Sequence, residues 1–132
     1  MYLLDTNALI ILLFGEVADG KLGEESTKIM KTVDKLYLSV VSLWEMSIKI
    51  RLGKLDIKRS ISDIEDICNK NGIEIIPIKA SHMDMSMSFP LLQDHKDPFD
   101  RLIMAVAKSE KMVLISTDER VRRAEYAVDV IW

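Results

Sequence analysis

The sequence has few of the features that mark several common protein classes. It contains one cysteine, Cys68, so it cannot form an internal disulfide bond, and together with eight methionines this indicates a cytoplasmic protein. No apolar run approaches the ~20 residues of a transmembrane helix. The apolar N-terminus lacks the basic start of a signal peptide and carries Asp5. We therefore expect a cytoplasmic protein with no membrane partner.

An excess of positive charge is also absent, with 18 Lys and Arg against 21 Asp and Glu. The formal net charge is −3, which excludes a protein that binds nucleic acid by bulk charge. Binding of a polyanion would need a metal ion or a local basic patch. Residues 1–132 show no repeat, no low-complexity tract and no linker, and this length predicts one domain with its own core.

Motifs for several kinds of chemistry are missing. Two histidines and one cysteine, without ligand spacing, argue against a zinc site. Cys68 is predicted to lie within a helix, and neither His82 nor His95 belongs to a nucleophile motif. No glycine-rich phosphate loop is present, which argues against nucleotide-driven chemistry.

Predicted strands and helices alternate along the chain. Short β-rich segments and Pro and Gly positions predict strands at 2–4, 36–41, 73–78, 112–115 and 127–131. Helices are predicted at 8–14, 24–35, 42–52, from 60 or 62 to 71, 80–88, 98–111 and 118–125. This alternation predicts an α/β fold, with a parallel sheet and helices on both faces.

Four acidic residues stand where a strand or loop is predicted to turn into a helix: Asp5, Glu45, Asp100 and Asp118. In a parallel sheet these turns converge on the edge formed by the carboxyl ends of the strands, where ligands bind. Like charges at close range repel, so a cluster of carboxylates indicates a cation. Oxygen ligands suit Mg²⁺ or Mn²⁺, which can polarise a phosphodiester and activate water. The pattern therefore favours a metal-dependent hydrolase.

Each acid also has a structural alternative. Asp5 follows a strand, where aspartate is a common N-cap. Ser42 and Glu45 have the spacing of a capping box. Asp100 lies in the first helical turn after the candidate cap Asp97, where the helix dipole favours negative charge. Asp118 can be a first-turn residue too. The shared position of all four favours a metal site over four separate caps.

A resemblance to a known family rests on four segments. They are LLDTNALI (3–10), SVVSLWEMSIKIRLGKL (39–55), HKDPFDRLIMAVA (95–107) and LISTDERV (114–121), followed by the terminal VIW. In content and order they resemble PIN-domain proteins, and within that family the VapC-type toxin ribonucleases of type II toxin–antitoxin pairs. The likeness spans nearly the whole chain.

The resemblance implies a fold and an activity. The fold would be a three-layer α/β/α sandwich around a parallel sheet with strand order 3-2-1-4-5. Asp5, Glu45, Asp100 and Asp118 would bind Mg²⁺ or Mn²⁺ and cleave RNA. The implied partners are an RNA substrate, a cognate antitoxin and a second copy of the chain in a homodimer.

Four further residues are expected to support the site or to bind substrate. Asn7 stands where many relatives carry His, and it can still hydrogen-bond to Asp5 or to a metal-bound water. Ser116 replaces the commoner Thr and keeps the hydroxyl group. Asp97 caps the helix before Asp100. Arg101 can hold the scissile phosphate or form an ion pair with Asp97.

Exposed and apolar side chains leave further alternatives. Lys49, Arg51 and Lys54 form a basic stretch that is a solvated helix face by default and an RNA contact otherwise. Trp44 is expected in the core or in a dimer interface. The methionines at 83, 85 and 87 are expected to fill gaps in the core, with an adaptable partner-binding surface as the alternative. Two other functions remain open: a haloacid-type phosphatase, whose D-x-D motif this chain lacks at Asn7, and a catalytically silent PIN-like binding module.

Overall fold

Parallel strands and helices alternate in the computed structural model, which describes residues 1–18, 20–91, 97–124 and 128–132. The strands are β1 (Tyr2–Leu4), β2 (Leu36–Ser39), β3 (Ile73–Ile76), β4 (Val113–Ile115) and β5 (Val130–Ile131). The helices are α1 (Thr6–Phe14), α2 (Glu24–Thr32), α3 (Val40–Arg51), α4 (Ile61–Lys70), α5 (Ala80–Met87), α6 (Pro98–Ser109) and α7 (Glu119–Arg123), with a 3₁₀ turn at Gly15–Val17. Among the described residues, no helix has the length and apolarity needed to cross a membrane.

The five strands pair in the order β3-β2-β1-β4-β5, and every pairing is parallel. Leu4 of β1 pairs with Leu38 of β2 on one side and with Ile115 of β4 on the other. The chain runs from β1 outward to β3 and then returns to place β4 beside β1. The crevice between β1 and β4 is therefore the topological switch point, where α/β sheets bind ligands. The predicted strand order is confirmed.

Helices cover both faces of the sheet, because successive residues of the central strands point to opposite sides. Leu4 and Ile115 pack in a core with α1 and α4, whereas Leu3 and Leu114 pack in a second core with α6 and α7. Helix α3 contributes to both cores. The predicted three-layer α/β/α sandwich is confirmed.

Five of the described helices have a side chain as N-cap, and three of these helices are the next element after a strand. Asp5 caps α1 directly after β1, and Ser39, the last residue of β2, caps α3. Asp118 caps α7 three residues after the end of β4. Asp97 caps α6 in the same way, with Pro98 at the first helical position. These caps place the helix N-termini and the acidic side chains at the carboxyl edge of the sheet.

Some predicted element ends were wrong. Helix α3 begins at Val40, capped by Ser39, and not at Ser42. Helix α1 begins at Thr6, two residues before the predicted start. The strand predicted at 36–41 ends at Ser39, because the two valines that follow belong to α3. The predicted loop residues Gln93 and His95 and the predicted element ends Glu125 and Ala127 lie outside the described residues.

Candidate active site

Asp5 lies at the switch point, directly after β1. Its side chain is 7% exposed, and its Oδ1 accepts a hydrogen bond of 2.7 Å from the Ala8 backbone N–H. Burial raises the pKa of Asp5 to about 6, against the lowering effect of hydrogen bonds from Ser116 and Ala8, and the charges of Glu45 and Asp118 raise it further. Asp5 is therefore both a helix cap and a carboxyl group whose charged form is disfavoured.

Asp100 lies in the first turn of α6 and makes no cap of its own, because Asp97 supplies the capping oxygen. Burial raises the pKa of Asp100 to about 7, and the charges of Asp97, Asp118, Glu45 and Asp5 raise it further. All the predicted site acids thus act on this carboxyl group. A first-turn position alone would have lowered its pKa, because the helix dipole favours the charged form.

Glu45 is 6% exposed on α3, and both of its carboxylate oxygens are engaged. Oε1 accepts a hydrogen bond of 2.6 Å from the Thr6 hydroxyl, and Oε2 lies 2.7 Å from the Lys49 ammonium. The capping-box alternative for Ser42 and Glu45 was wrong, because Ser42 lies inside α3 and its hydroxyl lies 3.0 Å from the Thr6 hydroxyl, whose proton is donated to Glu45. Glu45 instead faces the start of α1.

Asp118 caps α7, since its Oδ1 accepts a hydrogen bond of 2.8 Å from the Arg120 backbone N–H. Its other oxygen lies 3.4 Å from the Arg120 guanidinium. Asp118 is therefore a helix cap like Asp5, and not the first-turn residue that was its structural alternative. Its charge nevertheless raises the pKa of both Asp5 and Asp100, so Asp118 belongs to the same electrostatic environment although its carboxylate is held by Arg120.

The four acids share one electrostatic environment without forming a ready ligand cage. Asp5 and Asp100 feel the charges of Glu45 and Asp118. Within the ranges that the structure describes, however, no three His, Cys, Asp or Glu side chains are grouped so that they could hold a metal ion. Two of the four acids make other contacts: Glu45 pairs with Lys49, and Asp118 pairs with Arg120. Metal binding would require these carboxylates to turn inward.

The family follows from the sequence of the chain as a whole. A family model of the PIN domain matches residues 2–126. The chain belongs to the PIN-domain family. No curated protein matches it.

Solved structures share the fold of this PIN domain at low sequence identity. A toxin–antitoxin complex from Klebsiella pneumoniae superposes with a TM-score of 0.63 at 18% identity, covering 100% of this chain and 97% of the other. FitAcB from Neisseria gonorrhoeae gives 0.64 at 16%, covering 100% and 97%. DNA-bound VapBC from Salmonella typhimurium gives 0.65 at 15%, covering 98% and 95%. These likenesses show that the chain shares the fold of these proteins.

The supporting residues of this PIN domain occupy distinct positions. Ser116 is fully buried after β4, donates a hydrogen bond to Asp5 and accepts one from the Asp118 backbone N–H. Asn7 donates a hydrogen bond of 2.8 Å to the hydroxyl of Thr117. Both residues thus join the start of α1 to the loop after β4, and Ser116 holds the Asp5 carboxylate directly.

Asp97 and Arg101 flank Asp100 in different ways. Asp97 accepts hydrogen bonds from the backbone N–H groups of Phe99 and Asp100, as predicted for a cap. The Arg101 guanidinium donates to the backbone oxygens of Pro90, at 2.9 Å, and Phe89, at 3.2 Å. Neither the predicted phosphate contact nor the predicted ion pair with Asp97 included these hydrogen bonds. They connect the residues that follow α5 to the first turn of α6.

The sequence interpretation missed the groups that hold Glu45. Thr6 is buried and donates to Glu45, and Lys49 forms an ion pair with it one helical turn away. The four-residue spacing of Glu45 and Lys49 is a readable signal for such a pair. Thr6 gave a weaker signal, since its contacts reach Ser42 and Glu45, more than 35 residues away in sequence.

Exposed apolar side chains gather on the helices beside the site. Trp44 is 64% exposed, so its predicted place in the core was wrong, and its ring meets Phe99 edge to face at 5.6 Å. Met83 and Met87 are exposed as well and do not fill core gaps, whereas Met85 packs against the second core. Helix α6 packs between α3 and α5, so these side chains lie on adjoining helices.

Proposed function

We propose that residues 1–132 form a single PIN-like domain that acts as a divalent-metal-dependent endoribonuclease. It would hydrolyse RNA phosphodiester bonds as the VapC-type toxin of a toxin–antitoxin pair. The observation that carries the proposal is the pair of Asp5 and Asp100, whose pKa values are raised to about 6 and about 7 at the switch point of the sheet. PIN domains are generally nucleases, which supports the reaction class.

The chemistry of the side chains fits Mg²⁺ or Mn²⁺. Asp5 and Asp100 would hold the cation, joined by Glu45 and with Asp118 at the periphery. All four offer hard carboxylate oxygens, which these cations prefer over nitrogen or sulfur ligands. A cation would also offset the repulsion that raises the pKa of Asp5 and Asp100. When bound, a divalent cation polarises a phosphoryl oxygen and makes a water molecule a better nucleophile.

The protein itself supplies positioning. The Ser116 hydroxyl and the Ala8 backbone N–H hold the Asp5 carboxylate, and Thr6 holds Glu45. Asp97 caps α6, which leaves the Asp100 carboxylate free of a capping role. These contacts hold the Asp5 carboxylate and Glu45 Oε1 before substrate arrives. Glu45 Oε2 and the Asp118 carboxylate would turn away from Lys49 and Arg120 when a cation binds.

RNA binding requires local positive charge, because the chain as a whole is acidic. Arg51 and Lys54 are exposed at the end of α3 and in the turn after it, on the helix that carries Glu45. We assign these two side chains to the RNA backbone. The choice of RNA over DNA rests on the resemblance to VapC-type ribonucleases, whereas the proposed cytoplasmic location rests on the cysteine and methionine content of the chain.

A homodimer accounts for the exposed apolar side chains beside the site. Val40, Trp44, Met83 and Met87 lie on α3 and α5, on either side of α6, and Met87 is 81% exposed. Large apolar side chains that are exposed on neighbouring helices are candidates for a protein interface. We propose that this face meets the same face of a second copy in an isologous contact.

An antitoxin is the second proposed protein partner. The solved structures with the same fold include toxin–antitoxin complexes. We propose that the antitoxin inserts an Arg or Lys side chain among the carboxylates, because a cation there would satisfy them in place of a metal ion. Inhibition would then be direct occlusion of the site.

RNA cleavage tests the proposed function. The purified protein and its Asp100→Asn variant are incubated with a mixed RNA pool in Mg²⁺, in Mn²⁺ and in chelator, and the products are sequenced. We expect internal cleavage by the wild type with metal, none in chelator, and none by the variant. Release of inorganic phosphate from phosphomonoesters would favour the phosphatase, and an inactive but antitoxin-binding protein would favour the silent module.

A further inference from the structure

Lys49 forms the shortest ion pair among the described residues, and its partner is a buried site acid. Its Nζ lies 2.7 Å from Glu45 Oε2, whereas the other described pairs span 2.8 to 3.7 Å. The Glu45 side chain is only 8% exposed, and that of Lys49 is 44% exposed. The pair is therefore not an ordinary surface pair, since one carboxylate is removed from water and depends on its cation.

Acids other than Glu45 also act on the Lys49 ammonium group. Burial lowers the pKa of Lys49, but the hydrogen bond to Glu45 and the charges of Glu45, Asp100 and Asp97 outweigh this effect, and the net pKa is raised. The acids of α3 and of the α6 N-terminus thus act on this one ammonium group. The only other cation paired with a site acid in the described ranges is the Arg120 guanidinium, on Asp118 at the exposed end of α7.

We propose that Lys49 is the built-in counter-cation of the acidic site, occupying Glu45 in the metal-free protein and leaving it when a divalent cation binds there. This inference rests on the proposed metal-dependent function and adds a residue to it. Glu45 Oε1 is already held by Thr6, so Oε2 is the oxygen on which Lys49 and the cation compete.

The competition has two consequences that a merely structural ion pair would not have. A positive charge on Glu45 opposes a second cation, so Lys49 lowers the affinity of the site for metal. The same charge offsets the repulsion among the carboxylates when metal is absent, so it stabilises the metal-free protein. If Lys49 only held Glu45 in place for the metal, its removal would weaken metal binding.

The test compares Lys49→Gln with Arg51→Gln, which removes the same charge from an exposed position on the same helix. Mn²⁺ and Mg²⁺ affinities are measured by calorimetry, and the melting temperature is measured in chelator. For Lys49→Gln we expect metal binding tighter by about fivefold or more, given the strength of charge interactions at this range, and a lower melting temperature in chelator. Arg51→Gln and the charge-conserving Lys49→Arg should stay near wild type in both measurements.

Unchanged or weaker metal binding by Lys49→Gln, with the wild type binding normally, would overturn the counter-cation role and leave the proposed nuclease intact. Absence of metal binding by both proteins would refute the metal-dependent function, and the competition with it. An equal gain in affinity for Arg51→Gln would also overturn the inference, because the effect would then be general charge and not displacement from Glu45.

Discussion

Asp100→Asn should stabilise the metal-free protein, although it removes a charged group from the proposed active site. Asp100 has no capping role, since the Asp97 carboxylate accepts the hydrogen bonds at the start of α6. Its own carboxylate is buried among other acids, which raises its pKa to about 7. Above that pH the folded protein carries a charge that it disfavours, and the unfolded chain does not pay this penalty. The isosteric amide removes the charge.

A shift of the Asp100 pKa from 3.8 to about 7 corresponds to a loss of unfolding free energy of ~4 kcal/mol at most when the carboxylate is charged. Asp100 and Asp5 titrate together, and the amide must itself be desolvated, so we expect ~1–2 kcal/mol of stabilisation. For a chain of this size this is a rise in melting temperature of about 3–8 °C. Because the folded pKa is raised, the wild type loses stability as the pH rises from about 4 through 7. The gain should therefore be near zero at pH 4 and full above pH 7.5.

Thermal unfolding in chelator, recorded from pH 4 to pH 8.5, measures this difference. Asp84→Asn on the exposed face of α5 is the matched control, and it should change stability by less than ~0.5 kcal/mol at every pH. Saturating Mg²⁺ should stabilise the wild type and not Asp100→Asn. An Asp100→Asn protein that is clearly less stable than the wild type at pH 8 would refute the reasoning and favour a purely structural role for Asp100.

Three other outcomes are expected. Asp97→Ala removes the cap of α6 and should cost ~1 kcal/mol in urea unfolding, whereas Asp97→Asn, which keeps a capping oxygen, should cost less than half of that. The His82 ring and the Lys79 ammonium lower the pKa of Glu110, so Glu110→Gln should destabilise the protein at pH 7, and the difference in unfolding free energy should shrink as the pH falls below the ordinary glutamate pKa of 4.5. Inhibition by the cognate antitoxin should weaken as Mg²⁺ rises; an antitoxin that binds with no competition from metal would exclude occlusion of the site.

The sequence predicted the sheet well because its signals are local. Short β-rich segments alternate with capped helices, and each strand of the sheet follows from residues within that segment. The caps at Asp5 and Asp97 were readable for the same reason, whereas Asp118 was expected in the first helical turn and is the cap of α7. The strand order came from the family resemblance, and the structure confirms it.

The errors arose where distant contacts override a local pattern. Ser42 and Glu45 satisfy the capping-box spacing, but Thr6 engages both side chains, and no local signal specifies that contact. The two valines before Ser42 favour a strand by propensity, yet they begin α3 after the Ser39 cap. Trp44 was expected in the core or in a dimer interface, and its exposed position on α3 excludes only the first of these.

The sequence also could not separate a helix cap from a metal ligand, and the structure shows why the two roles coincide. Asp5 and Asp118 cap helices at the same edge where the acids face one another. Only Asp100, which caps nothing, has a raised pKa without a structural task to explain its position. For that reason Asp100 carries more of the functional argument than the other three acids.

Anomalous diffraction from crystals soaked in Mn²⁺ tests the central claim most directly, since it locates the cation independently of any activity. The account predicts a manganese peak bound by the carboxylates of Asp5 and Asp100, with Lys49 turned away from Glu45, and no peak in crystals of Asp100→Asn. A fully occupied manganese ion elsewhere on the protein, or no ion at this edge of the sheet at saturating Mn²⁺ and neutral pH, would contradict it.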